Sequence, residues 1–285
     1  MSALLRAIAL TAGAVTAVTA FTAVPTSAAP TTSPNVVHAA AAHSDRHTVT
    51  VVFVHGAWAD SSGWSGETSR LLAAGYSVRA ADTSGKSLST DVASLDAFLT
   101  TITGPVLLVG HSYGGAVITN AAAHAENVVG LVYVDAYEPA VGESVAQLSG
   151  ARSVTNTLPQ SQLFDEVPGA AAGSENVLLT KATYLHHFAN DLPEAQATRL
   201  WATQTVTSTA ALQAPTSDAA WKTLPSWAFI STGDQIITPD AKDSMARRAG
   251  SEITTFHGGS HVTFISHPDV VTKAIRRAAD SLSGR

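Results

Sequence analysis

From Thr48 to Val134 the chain alternates short apolar runs with stretches whose apolar positions recur at helical spacing. Thr48–Val54 is a β-branched run of the kind that forms a strand buried on both faces. The loop His55-Gly56-Ala57-Trp58 follows, then a helical stretch over Thr68–Ala74 that Gly75 stops. Ser77–Ala80 reads as a strand, and Ser89–Thr101 as a helix with Val92, Leu95, Phe98 and Leu99 on one face. Val106–Val109, Gly114–His124 and Val128–Val134 continue as strand, helix and strand. The pattern resumes near the C-terminus with strand Trp227–Ser231, helix Asp240–Ala249, strand Ile253–Phe256 and helix Asp269–Ser281. Such alternation implies right-handed crossovers. The expected fold class is α/β: a doubly wound, mainly parallel sheet of about six strands with helices on both faces.

The alternation is interrupted over residues 136–224, which lack strong strand signals and carry Phe164, Tyr184, Phe188, Trp201 and Trp221 among helical stretches and several prolines. This segment is expected to form a mostly helical cap above the carboxyl ends of the strands, where open α/β sheets bind their ligands. Residues 48–285 then make one domain with one insertion, and no internal repeat is visible.

Ahead of the domain the pattern is different. Arg6 precedes an apolar Ala/Thr/Val stretch, Ile8 to Val24, and the small residues Ser27-Ala28-Ala29 follow Pro25. A membrane anchor is the competing reading. The stretch is short, rich in Thr and Ala, and closes on small residues, so residues 1–29 are expected to be a cleaved signal peptide, leaving no stable membrane anchor and a secreted product. Residues 30–47, with Pro30, Pro34 and the Ala39–Ala42 run, read as a flexible tether.

Composition narrows the function. Among 285 residues, 45% are hydrophobic and 13% charged, enough for a sizeable core. The net charge is −6, from 16 Lys+Arg against 22 Asp+Glu, and no basic block occurs, so a nucleic-acid partner is not expected. There is no cysteine, hence no disulfide and no lipidated cysteine. A core of this size can do without disulfides.

The chemistry centres on Gly110-His111-Ser112-Tyr113-Gly114, a G-x-S-x-G pentapeptide between an apolar strand and a small-residue helix. At a tight strand-to-helix turn the Ser112 hydroxyl is held exposed in strained backbone, with the helix amino-terminus aimed at the developing charge. A serine hydroxyl needs a base, and on this type of sheet the partners follow in the order Ser, acid, His. His261, in Gly258-Gly259-Ser260-His261 after the last strand, is the expected base. His257 at the strand end is its rival, and His267 before Pro268 reads as a cap or surface residue. Asp234, just past Trp227–Ser231, is the expected acid. Asp135, ending Val128–Val134, is the alternative, and Asp240 suits an early helix position. The backbone amides of Tyr113 and Ala57 are the expected oxyanion donors, with Gly56 admitting the loop to the site and His55 bracing it.

Other signals fall away. Gly85-Lys86-Ser87 lacks the glycine that a phosphate loop needs five residues earlier, where Ala80 stands. His43 and His47 lie in the tether, His257 and His261 span a strand end and a Gly-Gly loop, and adjacent His186 and His187 cannot share a helical face. No metal and no cofactor is expected.

Taken together, Val54-His55-Gly56-Ala57-Trp58, Gly75-Tyr76, the pentapeptide with Gly115, Gly233-Asp234 and Ser260-His261 resemble the α/β-hydrolase superfamily. The resemblance is greatest to the branch with plant methyl-ester esterases and hydroxynitrile lyases. It runs from about Thr48 to the end and is weak across the cap. It implies a Ser-His-Asp triad and an oxyanion hole at these positions, and a small-molecule ester as substrate. The lyases of that branch have Thr after the His-Gly pair and Lys after the catalytic His. Ala57 and Val262 stand there, which disfavours cyanohydrin cleavage. A serine in place of aspartate argues against epoxide hydrolases and haloalkane dehalogenases. The expected function is therefore a carboxylic-ester hydrolase acting through an acyl-enzyme. Lactonase, thioesterase, amidase or cofactor-free perhydrolase activity on the same triad are the alternatives, ahead of a lyase or a non-catalytic binding protein.

Overall fold

The computed structural model describes residues 49–283. The expected signal peptide over 1–29 and tether over 30–47 lie outside the described residues. Nine strands occur among the described residues. β1 (Thr50–Val54), β2 (Ser77–Ala81), β3 (Val106–His111) and β4 (Val128–Val134) precede the insertion. β5 (Phe164–Val167), β6 (Asn176–Leu179) and β7 (Thr207–Ser208) lie within it, and β8 (Ser226–Ser231) and β9 (Glu252–Phe256) follow it.

Six of them form one sheet in the order β2-β1-β3-β4-β8-β9, and every pairing in it is parallel. The β-branched and Leu-rich runs are why: all six residues of β3 are buried, as a strand covered on both faces requires. The main covering helices are α1 (Ser65–Ala73), α2 (Leu88–Leu99), α3 (Tyr113–Ala121), α4 (Pro239–Ala249) and α5 (Pro268–Ser283), with α1 packed on α5 and α2 on α3. The edge strand β9 is more exposed than β3.

The order of the strands sets the position of the site. From β1 the chain steps outward to β2, then returns to place β3 on the other side of β1. That reversal opens a crevice between the carboxyl ends of β1 and β3, the switch point at which such sheets bind ligands. The loop after β1 carries Ala57, and the turn after β3 carries Ser112.

Between β4 and β8 the chain forms several short helices, the helix Glu194–Ala202, and a three-stranded antiparallel sheet of order β5-β6-β7. The sheet adds strands to a segment expected to be mostly helical. Its strands are too short to show a period: β7 has only two residues, and the two central residues of β5, Asp165 and Glu166, are both exposed and charged.

Candidate active site

Ser112 sits between β3 and α3 with φ 51° and ψ −124°, a conformation that favours glycine and that a side-chain-bearing residue adopts at a cost of about 1–3 kcal/mol. The neighbouring backbone holds it there. The Ser112 carbonyl accepts from the Gly115 amide at 2.9 Å and from the Tyr137 amide at 3.2 Å. Gly114 lets the helix come down on β1, since a Cβ there would stand 2.5 Å from the Val54 carbonyl oxygen and 2.7 Å from that of His55. The Tyr113 hydroxyl donates to Asp91 at 2.8 Å, tying the first residue of α3 to α2.

His261 and Asp234 reach Ser112 from two loops that are laced together. The Gly233 amide donates to the Gly258 carbonyl at 3.0 Å, and the Gly258 amide donates to the Thr232 hydroxyl at 2.9 Å. A side chain at Gly233 would run into the Gly259 carbonyl. In consequence His261 Nε2 lies 2.8 Å from Ser112 Oγ, and His261 Nδ1 lies 2.9 Å from Asp234 Oδ2. With Nδ1–H donating to the carboxylate, Nε2 is free to accept the hydroxyl proton. All three side chains are buried.

Asp234 is held on both oxygens. Its Oδ1 accepts from the amides of Ile236 and Ile237 at 2.8 Å and 3.1 Å, and its Oδ2 accepts from Lys242 Nζ at 2.7 Å. Burial alone would push its carboxyl up, but the His261 and Lys242 charges, with their hydrogen bonds, hold it well below the usual carboxylate range.

Of the residues weighed from sequence, Ser112, His261 and Asp234 converge. Asp135 does not touch the imidazole but is not remote either. It too is buried, and it accepts from Lys242 Nζ and from the Ser231 amide and hydroxyl, the last two at 2.7 Å and 2.6 Å. His267 lies at the end of the short helix Thr263–Ser266, with Nδ1 2.8 Å from Ser266 Oγ. Asp240 is in the first turn of α4 and pairs with Arg152. His55 Nδ1 lies 2.8 Å from the Gly56 carbonyl, and its Nε2 accepts from the Thr83 amide at 2.9 Å, so it braces the loop.

Ala57 and Tyr113 both line a cavity of about 190 Å³ beside Ser112. Among the described residues neither amide has a hydrogen-bond acceptor. Trp58, with φ 58°, extends that loop. Its amide donates to Thr207 Oγ1 at 3.2 Å and its indole to the Val177 carbonyl at 3.1 Å, so paired residues of β6 and β7 grip it. The cavity lining is otherwise contributed largely by the insertion, including Tyr137, Phe164 and Leu212, and contains no Asp, Glu, Lys, Arg or His.

Three participants were not visible in the sequence. His111 Nε2 donates to the His261 carbonyl at 2.7 Å, and burial first, then the nearby His261, hold its ring well below the usual histidine range. Phe188, from the π-helical turn Tyr184–Phe188 of the insertion, lies against the His261 ring. Lys242, on α4, is the third. Among the described residues no cluster of three or more His, Asp or Glu side chains is placed to hold a metal ion.

Comparison with known proteins agrees with this architecture. The alpha/beta hydrolase family matches residues 51–274. A carbendazim-hydrolyzing esterase of Nocardioides sp. (strain SG-4G) is 34% identical over 110 residues, 34% of this chain. The match spans 46% of that relative's length. Among solved structures, an extracellular alpha/beta-hydrolase from a Paenibacillus species is similar with TM-score 0.66 and 21% identity, covering 81% of this chain and 98% of that one. For polyneuridine aldehyde esterase the figures are TM-score 0.70 and 15% identity over 81% and 99% of the two chains. For a pyrethroid hydrolase from Sphingobium faniae JZ-2 they are TM-score 0.66 and 20% identity over 82% and 98%. At such identities the likeness to solved structures establishes the fold alone.

Proposed function

Because this chain belongs to the alpha/beta hydrolase family, we propose that it hydrolyses carboxylic esters with Ser112 as nucleophile, His261 as general base and Asp234 as the acid that orients it. The observation that carries the reading is the unbroken hydrogen-bonded line from Ser112 Oγ to His261 Nε2, at 2.8 Å, and from Nδ1 to Asp234, at 2.9 Å.

Ser112 Oγ attacks the ester carbonyl while His261 takes its proton. The Ala57 and Tyr113 amides donate hydrogen bonds to the carbonyl oxygen as negative charge develops on it, each donor contributing roughly a hundredfold or more in rate. His261 then protonates the departing alcohol, and water repeats the sequence on the acyl-enzyme. Asp234 stays ionised throughout and keeps the imidazole in the tautomer that accepts at Nε2.

The lining supports a neutral substrate of small or medium size. A cavity of about 190 Å³ with no charged side chain offers no ion-pair partner to a carboxylate or ammonium group, only neutral hydrogen-bonding groups such as Asn156, Gln160 and Gln213, so burying a charge there is disfavoured. Phe164, Leu212 and Ile236 offer apolar contact to acyl or alcohol groups. One relative is named a carbendazim-hydrolyzing esterase and one structural neighbour a pyrethroid hydrolase, in keeping with hydrolysis of a small molecule. The proposal includes export, with residues 1–29 removed, on the strength of their apolar run and the small residues that end it.

Ser112→Ala is the test. The variant should fold as the parent does, lose labelling by a fluorophosphonate probe, and lose p-nitrophenyl acetate turnover on the order of a million-fold. Parental turnover in that variant would remove the assignment.

A further inference from the structure

Lys242 is a lysine in a place where lysines are rare. α4 is a polar helix, started by Thr238 and Pro239 and ended by Gly250 at φ 73°, and it carries Asp243, Arg247 and Arg248. Yet the Lys242 side chain is buried to 2% exposure, with Nζ reaching Asp234 Oδ2 at 2.7 Å, Asp135 Oδ1, and the Ser231 carbonyl at 3.3 Å. Strand order explains the meeting: β4 and β8 are neighbours, Asp135 directly follows β4, and Asp234 lies three residues beyond β8. Two carboxylates are thus buried side by side, with one ammonium between them.

Holding Asp234 does not require this arrangement, since the Ile236 and Ile237 amides already hold its Oδ1. What the ammonium adds is a contact on Oδ2, the same oxygen that faces His261. Asp135 in turn receives donors at both oxygens, the pattern of an ionised carboxylate, although burial works against its charge. Burying three charges is expensive, and an apolar side chain would fill the same space more cheaply unless the charges serve the site.

We infer that Lys242 and Asp135 are positioning residues for the proposed triad: Lys242 clamps Asp234 from behind, Asp135 balances Lys242, and His261 therefore faces one net negative charge. The inference rests on the triad reading of the preceding subsection. Other groups around the imidazole leave this balance intact. Ser112 and Phe188 carry no charge, and His111, whose ring centroid is 4.8 Å from that of His261, is held neutral by burial.

Charge balance makes a prediction that mere packing does not. The acidic limb of kcat/KM marks the loss of the proton that must leave His261 before it can act as a base. Removing Asp135 leaves the ammonium less compensated and makes that proton easier to lose. Removing Lys242 leaves two carboxylates and makes it harder to lose. Asp135→Asn should move the acidic limb down in pH and Lys242→Met should move it up, each by about one pH unit for charges at this range in a partly polar interior. At a pH on the acidic slope that displacement is about a tenfold change in kcat/KM. The double variant Asp135→Asn/Lys242→Met should return the limb to the parental position.

Full pH profiles of the parent and the three variants, on p-nitrophenyl acetate, decide the matter. Limbs that coincide in all four, or a double variant shifted as far as Lys242→Met, would overturn the inference. Where Lys242→Met fails to fold, Asp135→Asn retains the ammonium with its Asp234 partner, and an unmoved limb in that variant alone is enough to overturn it. Ser112→Ala, measured alongside, separates the two readings. Turnover surviving in that variant removes the triad itself, whereas coincident limbs in enzymes that all depend on Ser112 remove only the role of the charge pair.

Discussion

Phe188 presents its ring to the imidazole of His261 at a centroid distance of 4.9 Å and an interplanar angle of 65°. The insertion thus touches the proposed base directly. Phe188 is 1% exposed and also packs on Tyr184, at 4.8 Å, and on Trp58, at 6.3 Å. An edge-on aromatic contact adds about 0.5–1.5 kcal/mol beyond the area it buries.

Phe188→Ala should therefore lower kcat/KM by roughly tenfold or more, because the imidazole loses a wall that fixes its orientation and excludes water. Stability should fall by about 3–5 kcal/mol, the usual cost of emptying a buried phenylalanine site. Steady-state rates on a short ester, with urea unfolding of the same variant, measure both. A variant that is destabilised but turns over at the parental rate would show that the ring serves packing alone.

Gly114→Ala tests the turn under Ser112. The added methyl would meet the Val54 and His55 carbonyl oxygens, which belong to β1 and its loop and cannot swing aside. The variant should lose several kcal/mol of stability or fail to accumulate as soluble protein, by thermal melting or by yield. Melting at the parental temperature would mean that α3 can back away from β1.

Glu67 gives a pH-dependent prediction. It is fully buried in α1, neither carboxylate oxygen has a hydrogen-bond partner among the described residues, and burial pushes it up to about 8 against the weaker pull of its own backbone and Arg70. The folded protein thus keeps a proton that the unfolded chain gives up near the ordinary glutamate value. Stability is then lost as pH rises from that value through about 8. Glu67→Gln removes the titration. The variant and the parent should melt together at acidic pH, and the variant should melt several degrees higher in mildly alkaline buffer, by calorimetry. Glu138, likewise pushed up to about 8 by burial, is present in both proteins, so the difference between them isolates Glu67. An offset that does not change with pH would reject the assignment.

The sheet was legible because its central strands β1, β3 and β4 are near-continuous Val- and Leu-rich runs, and such runs depend on burial at both faces rather than on distant partners. That Ser112, His261 and Asp234 meet was legible because each follows the carboxyl end of a strand in one parallel sheet, which puts all three at the same edge. Lys242 was not. In sequence it is one more cation on a polar helix, and only the pairing of β4 with β8 brings Asp135 and Asp234 to it. Phe188 and the small sheet of the insertion were hidden for a related reason. A π-helical turn and strands of two to four residues carry no periodicity, so their form depends on tertiary contact.

Trp58 ties the floor of the candidate site to its roof. The residue beside the Ala57 amide is stitched at its amide and its indole to β7 and β6. Lifting those strands would pull the loop with them and withdraw the proposed oxyanion donor, the Ala57 amide, from Ser112. The small sheet of the insertion and the loop beside Ser112 are therefore fastened as one piece, so a change in β6 or β7 reaches the Ala57 amide through Trp58.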